Sequence, residues 1–194
     1  MSKLRIAVVC SSNMNRSMEA HAALAKKQYD VKSYGTGKMV RIPGPTRNEP
    51  NAYEFGTTYE AIYEDLKKKD RKLYTETGML HILDRNRRIK AQPERFQEVF
   101  NTEKFDIILT VEERVYDNVI TAFEERDSLH EQPVHIINMD VVDNPEDATI
   151  GAFLLCDLVR MLDQSDDLDD DIDEIVQEFE AQCKRAILHT VSFY

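Results

Sequence analysis

Cysteine is scarce in this sequence: Cys10, Cys156 and Cys183 are the only three in 194 residues. They make no disulfide framework, and no C-x-x-C pair suggests a zinc site. The chain is therefore expected to work in a reducing compartment, cytosolic or nuclear, with no metal and no other cofactor. Long apolar runs are absent too. No stretch reaches membrane-spanning length, and no signal-peptide core is present, so no membrane partner is expected. Met1-Ser2-Lys3-Leu4-Arg5 leads almost at once into a strand, so no cleaved leader is expected.

Positive charge is in deficit. Twenty-five lysines and arginines stand against 36 acids, a net charge of −11. That disfavours direct nucleic-acid binding across the whole surface, yet leaves room for a local positive site that takes an anion. Repeats, low-complexity tracts and flexible linkers are missing as well. The chain reads as a single domain, 1–194, long enough for one sizeable core.

What is present is concentrated near the start, in Cys10-Ser11-Ser12-Asn13-Met14-Asn15-Arg16-Ser17. The β-branched run Arg5-Ile6-Ala7-Val8-Val9 precedes it, and the helix formers Met18 to Lys27 follow. The stretch is thus a loop from a buried strand into a helix. A loop of this length can curl so that successive N–H groups point inward, an anion cradle at a helix N-terminus. Ser11, Ser12, Asn13, Met14 and Asn15 would form that cradle, and asparagine tolerates the left-handed conformation a tight ring demands. The same amides would stabilise a thiolate at Cys10 as nucleophile. Arg16 offers a planar fork for two phosphate oxygens, and Ser17 a hydrogen bond to the departing sulfur. The bland reading is a structural cysteine at a strand end. By average residue usage, a chance C-x5-R-S in a chain this long has odds of roughly one per cent.

Further along, Val31 to Tyr34 reads as a second strand closed by a turn at Gly35-Thr36-Gly37. Lys38 to Asn51 reads as a proline-bearing surface loop whose Lys38, Arg41 and Arg47 are either functional or simply solvated. Helices are expected over Thr57 to Lys69, Thr75 to Asn86 and Pro93 to Phe100. The basic end of the second, Arg85, Arg87, Arg88 and Lys90, is explained by the helix dipole. A strand at Phe105 to Thr110, a helix at Glu112 to Glu125 and a strand at Pro133 to Asn138 follow. His135 is expected to point off one sheet face and bind nothing. Apolar helices cover Asp147 to Leu162 and the segment around Ile172 to Phe179, and Ile187 to Tyr194 alternates as an edge strand. The pattern calls for a three-layer α/β fold with a mainly parallel sheet of about five strands, the Cys10 strand at or beside its centre.

Transfer of phosphate to a thiol expels an alkoxide or phenoxide that needs a proton, so a carboxylic acid should face the ring. Asp143, in the loop after the fourth strand and followed by Asn144-Pro145, is the leading candidate, and Asp140 is the alternative.

With a nucleophile first and an acid last on a parallel sheet, the chain resembles low-molecular-weight tyrosine phosphatases. The stretch from Val8 to His21, with Tyr34-Gly35-Thr36-Gly37, His81-Ile82-Leu83-Asp84-Arg85-Asn86, Val111 to Asp117, Gly151-Ala152-Phe153 and the ending Leu188 to Tyr194, resembles the suppressor-of-sua-seven family. The resemblance covers nearly the whole chain. It implies a phosphatase fold with a helical insertion at about 38–100, which forms part of a peptide groove. It implies action on phosphoserine at the fifth heptad position of the RNA polymerase II C-terminal domain, before a cis proline. A nuclear location, symplekin and the cleavage and polyadenylation machinery as partners are likewise implied. By the same resemblance Cys10 is the nucleophile, Arg16 the phosphate clamp, Asp143 the general acid, and Arg41, Ile42 and Pro43 border the groove. A tyrosine or small-molecule phosphatase, an arsenate reductase and a non-hydrolysing phosphopeptide reader are the other readings.

Overall fold

Every residue of the first strand after Arg5 is buried, and a strand apolar on both faces needs cover on both. In the computed structural model, which describes residues 4–126 and 131–194, that cover comes from helices on either side of one sheet. The start of the chain, residues 1–3, lies outside the described residues. The elements run β1 (Arg5–Cys10), α1 (Arg16–Lys26), β2 (Asp30–Gly35), β3 (Val40–Ile42), β4 (Asn51–Tyr53), α2 (Tyr59–Glu76), α3 (Met79–Ile89) and α4 (Phe96–Val99). They continue with β5 (Ile107–Thr110), α5 (Glu113–Glu124), β6 (Pro133–Met139), α6 (Pro145–Asp163), α7 (Leu168–Cys183) and β7 (Ile187–Phe193).

The main sheet has five strands in the order β2-β1-β5-β6-β7. The first four are mutually parallel, and β7 runs antiparallel along the edge. Successive side chains alternate between the faces of a strand. Ile6, Val8 and Cys10 of β1 therefore join the core under α1, α6 and α7, while Ala7 and Val9 join the core under α4 and α5. The expected three-layer α/β sandwich is what forms, with β1 beside the central strand.

A third core belongs to the segment between β2 and α4. Ile62, Leu66 and Tyr74 of α2, Leu83 of α3, and Val40 and Ile42 of β3 pack there against Met14 and Met18. Here the expected surface loop at Lys38 to Asn51 needs correction. Val40–Ile42 pairs antiparallel with Asn51–Tyr53 as a small hairpin, burying Val40 and Ile42 and exposing Arg41. Three alternating residues are too short a pattern to read as a strand in isolation. The helix expected from Thr75 also starts later, because Gly78 adopts φ +78° and ends the preceding turn. Asp70 leaves helical geometry at φ −161°, ψ 90°, and its carboxylate accepts from Leu73 N at 3.0 Å, so α2 restarts there under a new cap.

His135 does not stand idle. It is buried, lies 3.1 Å from His189 Nε2 and holds Asp169 at 2.8 Å, tying β6 to β7 and to the first turn of α7. Cys156 faces the core as its helical position implies, and burial pushes its thiol pKa up.

Leu66 is fully buried in the third core. Leu66→Ala is expected to destabilise the protein by about 2–5 kcal/mol, read as a lower denaturant midpoint at unchanged slope.

Candidate active site

β1 ends at the carboxyl edge of the parallel sheet, where an open α/β sheet presents its ligand site. Cys10 is its last residue and α1 begins at Arg16, so the connecting loop must turn within five residues. Asn13 makes that possible by taking φ +53°, the left-handed conformation expected of an asparagine there. Its N–H then points at Cys10 Sγ, 3.2 Å away.

Ser17 Oγ lies 3.0 Å from the sulfur and accepts from Asn13 Nδ2 at 3.0 Å. The protonated thiol donates to this hydroxyl, and once the sulfur is deprotonated the hydroxyl has its own hydrogen to give in return. A thiolate at Cys10 would thus meet two donors, the Asn13 N–H of the loop and the Ser17 hydroxyl of the first turn of α1. The amides of Ser12, Met14, Asn15 and Arg16 meet no protein acceptor among the described residues.

Arg16 is only 7% exposed, and the two loops that follow β5 and β6 at the sheet edge hold it. Nη1 donates to Val141 O at 2.9 Å and to Val111 O at 3.5 Å, and Nη2 donates to Glu112 Oε2 at 2.9 Å. The Nε edge remains for a ligand, with Asp143 Oδ1 3.7 Å away. Burial opposes the charge, but the Cys10 sulfur, Asp143 and Glu112 outweigh it and hold the guanidinium pKa above its ordinary value.

Cys10, Ser12, Met14, Asn15 and Arg16 line a cavity of about 130 Å³ whose rim carries Asp143, Arg41, Ile42 and Pro43. Of the sequence-derived site residues, Ser11, Asn13, Ser17 and Asp140 do not border this cavity, and Asn13 and Ser17 lie behind it against the Cys10 sulfur. Asp143 is 64% exposed and accepts from Asn15 Nδ2 at 3.0 Å. Asp140 is not among the cavity residues; it accepts from Asn138 Nδ2 at 3.0 Å. Of the two candidate acids the fold thus delivers Asp143. The proximity follows from topology, since parallel strands release their loops at one edge.

Sequence reasoning missed Glu112, although it follows a strand just as Asp143 does and the same argument reaches it. It also missed Met79 and Ile82 of α3, which form part of the wall. The helix dipole does not account for Arg85, which turns back to Glu19 and donates to Met14 O at 3.2 Å. Gly35 and Gly37 do more than turn. A Cβ on Gly35 would lie 2.6 Å from Ser11 O, and one on Gly37 2.9 Å from the same atom, so glycine lets the loop close onto β2.

The family model described as "Ssu72-like protein" matches residues 4–194. The chain belongs to the Ssu72 family. It is 54% identical over 193 residues to mouse SSU72, which is named a phosphatase of the RNA polymerase II C-terminal domain, covering 100% of this chain and 98% of that one. Its likeness to Caenorhabditis elegans ssup-72, which carries the same phosphatase name, is 53% over 195 residues, with 100% and 98% covered. Among solved structures, it superposes at TM-score 0.96 and 59% identity, over 100% of both chains, on Drosophila melanogaster Ssu72 in a complex with symplekin and a cis peptidomimetic phosphoserine peptide of the C-terminal domain. A second Ssu72 structure matches at TM-score 0.97 and 59% identity, again over 100% of both chains. The Ssu72 fold is thus present along the entire described chain, insertion included.

Gly35→Ala is expected to push the loop off β2, weakening inorganic phosphate binding and costing about 1–3 kcal/mol of stability. Phosphate inhibition and the unfolding midpoint measure the two effects; unchanged values in both would show that the backbone yields freely.

Proposed function

We propose that this chain hydrolyses phosphoserine in the heptad-repeat tail of RNA polymerase II, at the fifth heptad position and before a proline in the cis form. One observation carries the reading: a cysteine sulfur, a guanidinium with one open edge and an exposed carboxylate border one small cavity. The names and complexes of the relatives supply the substrate and the partner. The mouse relative is named a phosphatase of that tail, and the fly structure holds symplekin and a phosphopeptide.

In the first half-reaction, Cys10 Sγ attacks phosphorus from within the amide loop. The non-bridging oxygens lie against the loop N–H groups and the Nε–Nη2 edge of Arg16. The P–O bond to serine breaks, and Asp143 protonates the leaving alkoxide. In the second, the Asp143 carboxylate takes a proton from water as the water oxygen attacks phosphorus. The S–P bond breaks, and the thiolate is received by Ser17 Oγ–H and the Asn13 N–H.

Serine is favoured over tyrosine by chemistry: an alkoxide leaves far less readily than a phenoxide, so an acid at the cavity rim matters more. The insertion at about 38–100 supplies the groove wall, with Arg41, Ile42 and Pro43 on one side of the cavity and Met79 and Ile82 on another. Acting on this substrate, the protein would operate in the nucleus, beside symplekin and the cleavage and polyadenylation machinery. No helix among the described residues is long and apolar enough to cross a membrane.

Phosphate release from a phosphoserine–proline heptad peptide tests the reading. Cys10→Ser is expected to abolish turnover, and Asp143→Asn to slow it about 10²–10⁴-fold while phosphate still binds. Full activity without the Cys10 thiol overturns the mechanism. Preference for a phosphotyrosine peptide overturns the substrate.

A further inference from the structure

A trans peptide carries its N–H and C=O on opposite sides. An amide loop that points its N–H groups inward must therefore send its carbonyls outward, and each buried carbonyl needs a donor. The six peptides from Cys10 to Arg16 can be followed one by one. The carbonyls of Cys10 and Ser11 accept from Thr36 N at 3.0 Å and Gly37 N at 2.9 Å, both just beyond β2. The Ser12–Asn13 peptide is oriented by its N–H, which is held by the sulfur at 3.2 Å.

The remaining three carbonyls are held partly or wholly by the insertion. Asn13 O accepts from Tyr59 Oη at 2.7 Å. Met14 O accepts from Asn86 Nδ2 at 2.8 Å and Arg85 Nη2 at 3.2 Å. Asn15 O accepts from Glu19 N at 2.9 Å, with Arg85 Nη2 at 3.5 Å. Tyr59 and Asn86 have no solvent exposure. Asn86 Oδ1 accepts from Arg85 Nη2 at 2.9 Å, which fixes which end of its amide faces the loop. Arg85 is in turn held by Glu19 of α1.

We propose that Tyr59, Asn86 and Arg85 are positioning residues for phosphate binding: by gripping the outward carbonyls of Asn13 and Met14, with Arg85 also at Asn15, they aim the N–H groups of Met14, Asn15 and Arg16 at the phosphoryl oxygens. The insertion is then a brace for the catalytic loop as well as a wall of the groove. Burial keeps the Tyr59 phenol protonated far above the ordinary range, so it remains a donor throughout the working pH of the enzyme. The inference rests on the phosphatase reading, but its first measurement does not require turnover.

That measurement is calorimetric binding of inorganic phosphate to the full chain, alongside thermal melts and, with an aryl phosphate, kcat and KM per titrated thiol. Tyr59→Phe keeps the ring and removes only the donor. Asn86→Asp keeps the shape and replaces the donor with an acceptor facing Met14 O. Each is expected to weaken phosphate binding roughly three- to tenfold and to lower kcat in the folded fraction, Asn86→Asp the more. Leu66→Ala, which loosens the third core that Met14 shares but removes no hydrogen bond to the loop, is expected to lower the melting temperature and leave phosphate affinity within twofold. Unchanged phosphate affinity in both donor variants would overturn the proposal, as would an equal loss in Leu66→Ala, since either result makes the contacts merely structural. Should the unsubstituted protein bind phosphate but release none from any phosphopeptide or aryl phosphate, the phosphatase reading fails while the binding series still decides the positioning role. No phosphate binding by the unsubstituted protein overturns both.

Discussion

Inward-pointing amides around one sulfur are the constraint on which the rest of the structure depends. Convergent N–H dipoles repel one another and favour an anion at their focus, so the loop needs external bonds to keep this shape between ligands. Those bonds come from the end of β2, from α1 and from the insertion, and they explain why segments far apart in sequence crowd against residues 10–16. The close approach of Ser11 O to Gly35 and Gly37 belongs to the same requirement, as does the buried Asn86 with both ends of its amide engaged.

Electrostatics is arranged on the same scale. The chain carries a net charge of −11, yet the cavity floor presents amides and a guanidinium. Glu112 and Asp143 keep Arg16 charged despite its burial, and the two backbone carbonyls it donates to set its plane. An acidic surface around a small positive pocket weakens non-specific attraction to polyanions and leaves selection to local contacts. For the substrate proposed above, a long and repetitive phosphorylated tail, such locality would confine binding to the residues that enter the groove.

Much of the site was legible because its chemistry is local in the chain. Cys10, Arg16 and Ser17 are spaced by one strand-to-helix loop, so their meeting follows from six residues of backbone. The left-handed turn at Asn13 was legible for the same reason, being a property of one residue type in one tight loop. Asp143 needed one more assumption, a parallel sheet; the residues put it ahead of Asp140, the family resemblance named it, and the fold brings it to the cavity. The hairpin at Val40–Ile42 and Asn51–Tyr53 reads as irregular loop in sequence, because strands of three residues carry too little periodicity to stand apart from their surroundings. Arg85 reads as a dipole partner, because a basic residue at a helix end has that explanation available before any other.

By itself the sequence determined the alternation of strands and helices and the tight loop that joins Cys10 to Arg16, since these depend on short-range patterns of polarity and backbone preference. Only the tertiary structure decided which acid reaches the cavity, that Glu112 locks the clamp, and that Tyr59, Asn86 and Arg85 grip the loop from behind. Those contacts join residues between 46 and 128 positions apart, and no local preference of a chain specifies which distant donor a given carbonyl will meet. That is settled when the layers pack and each buried polar group must find a partner.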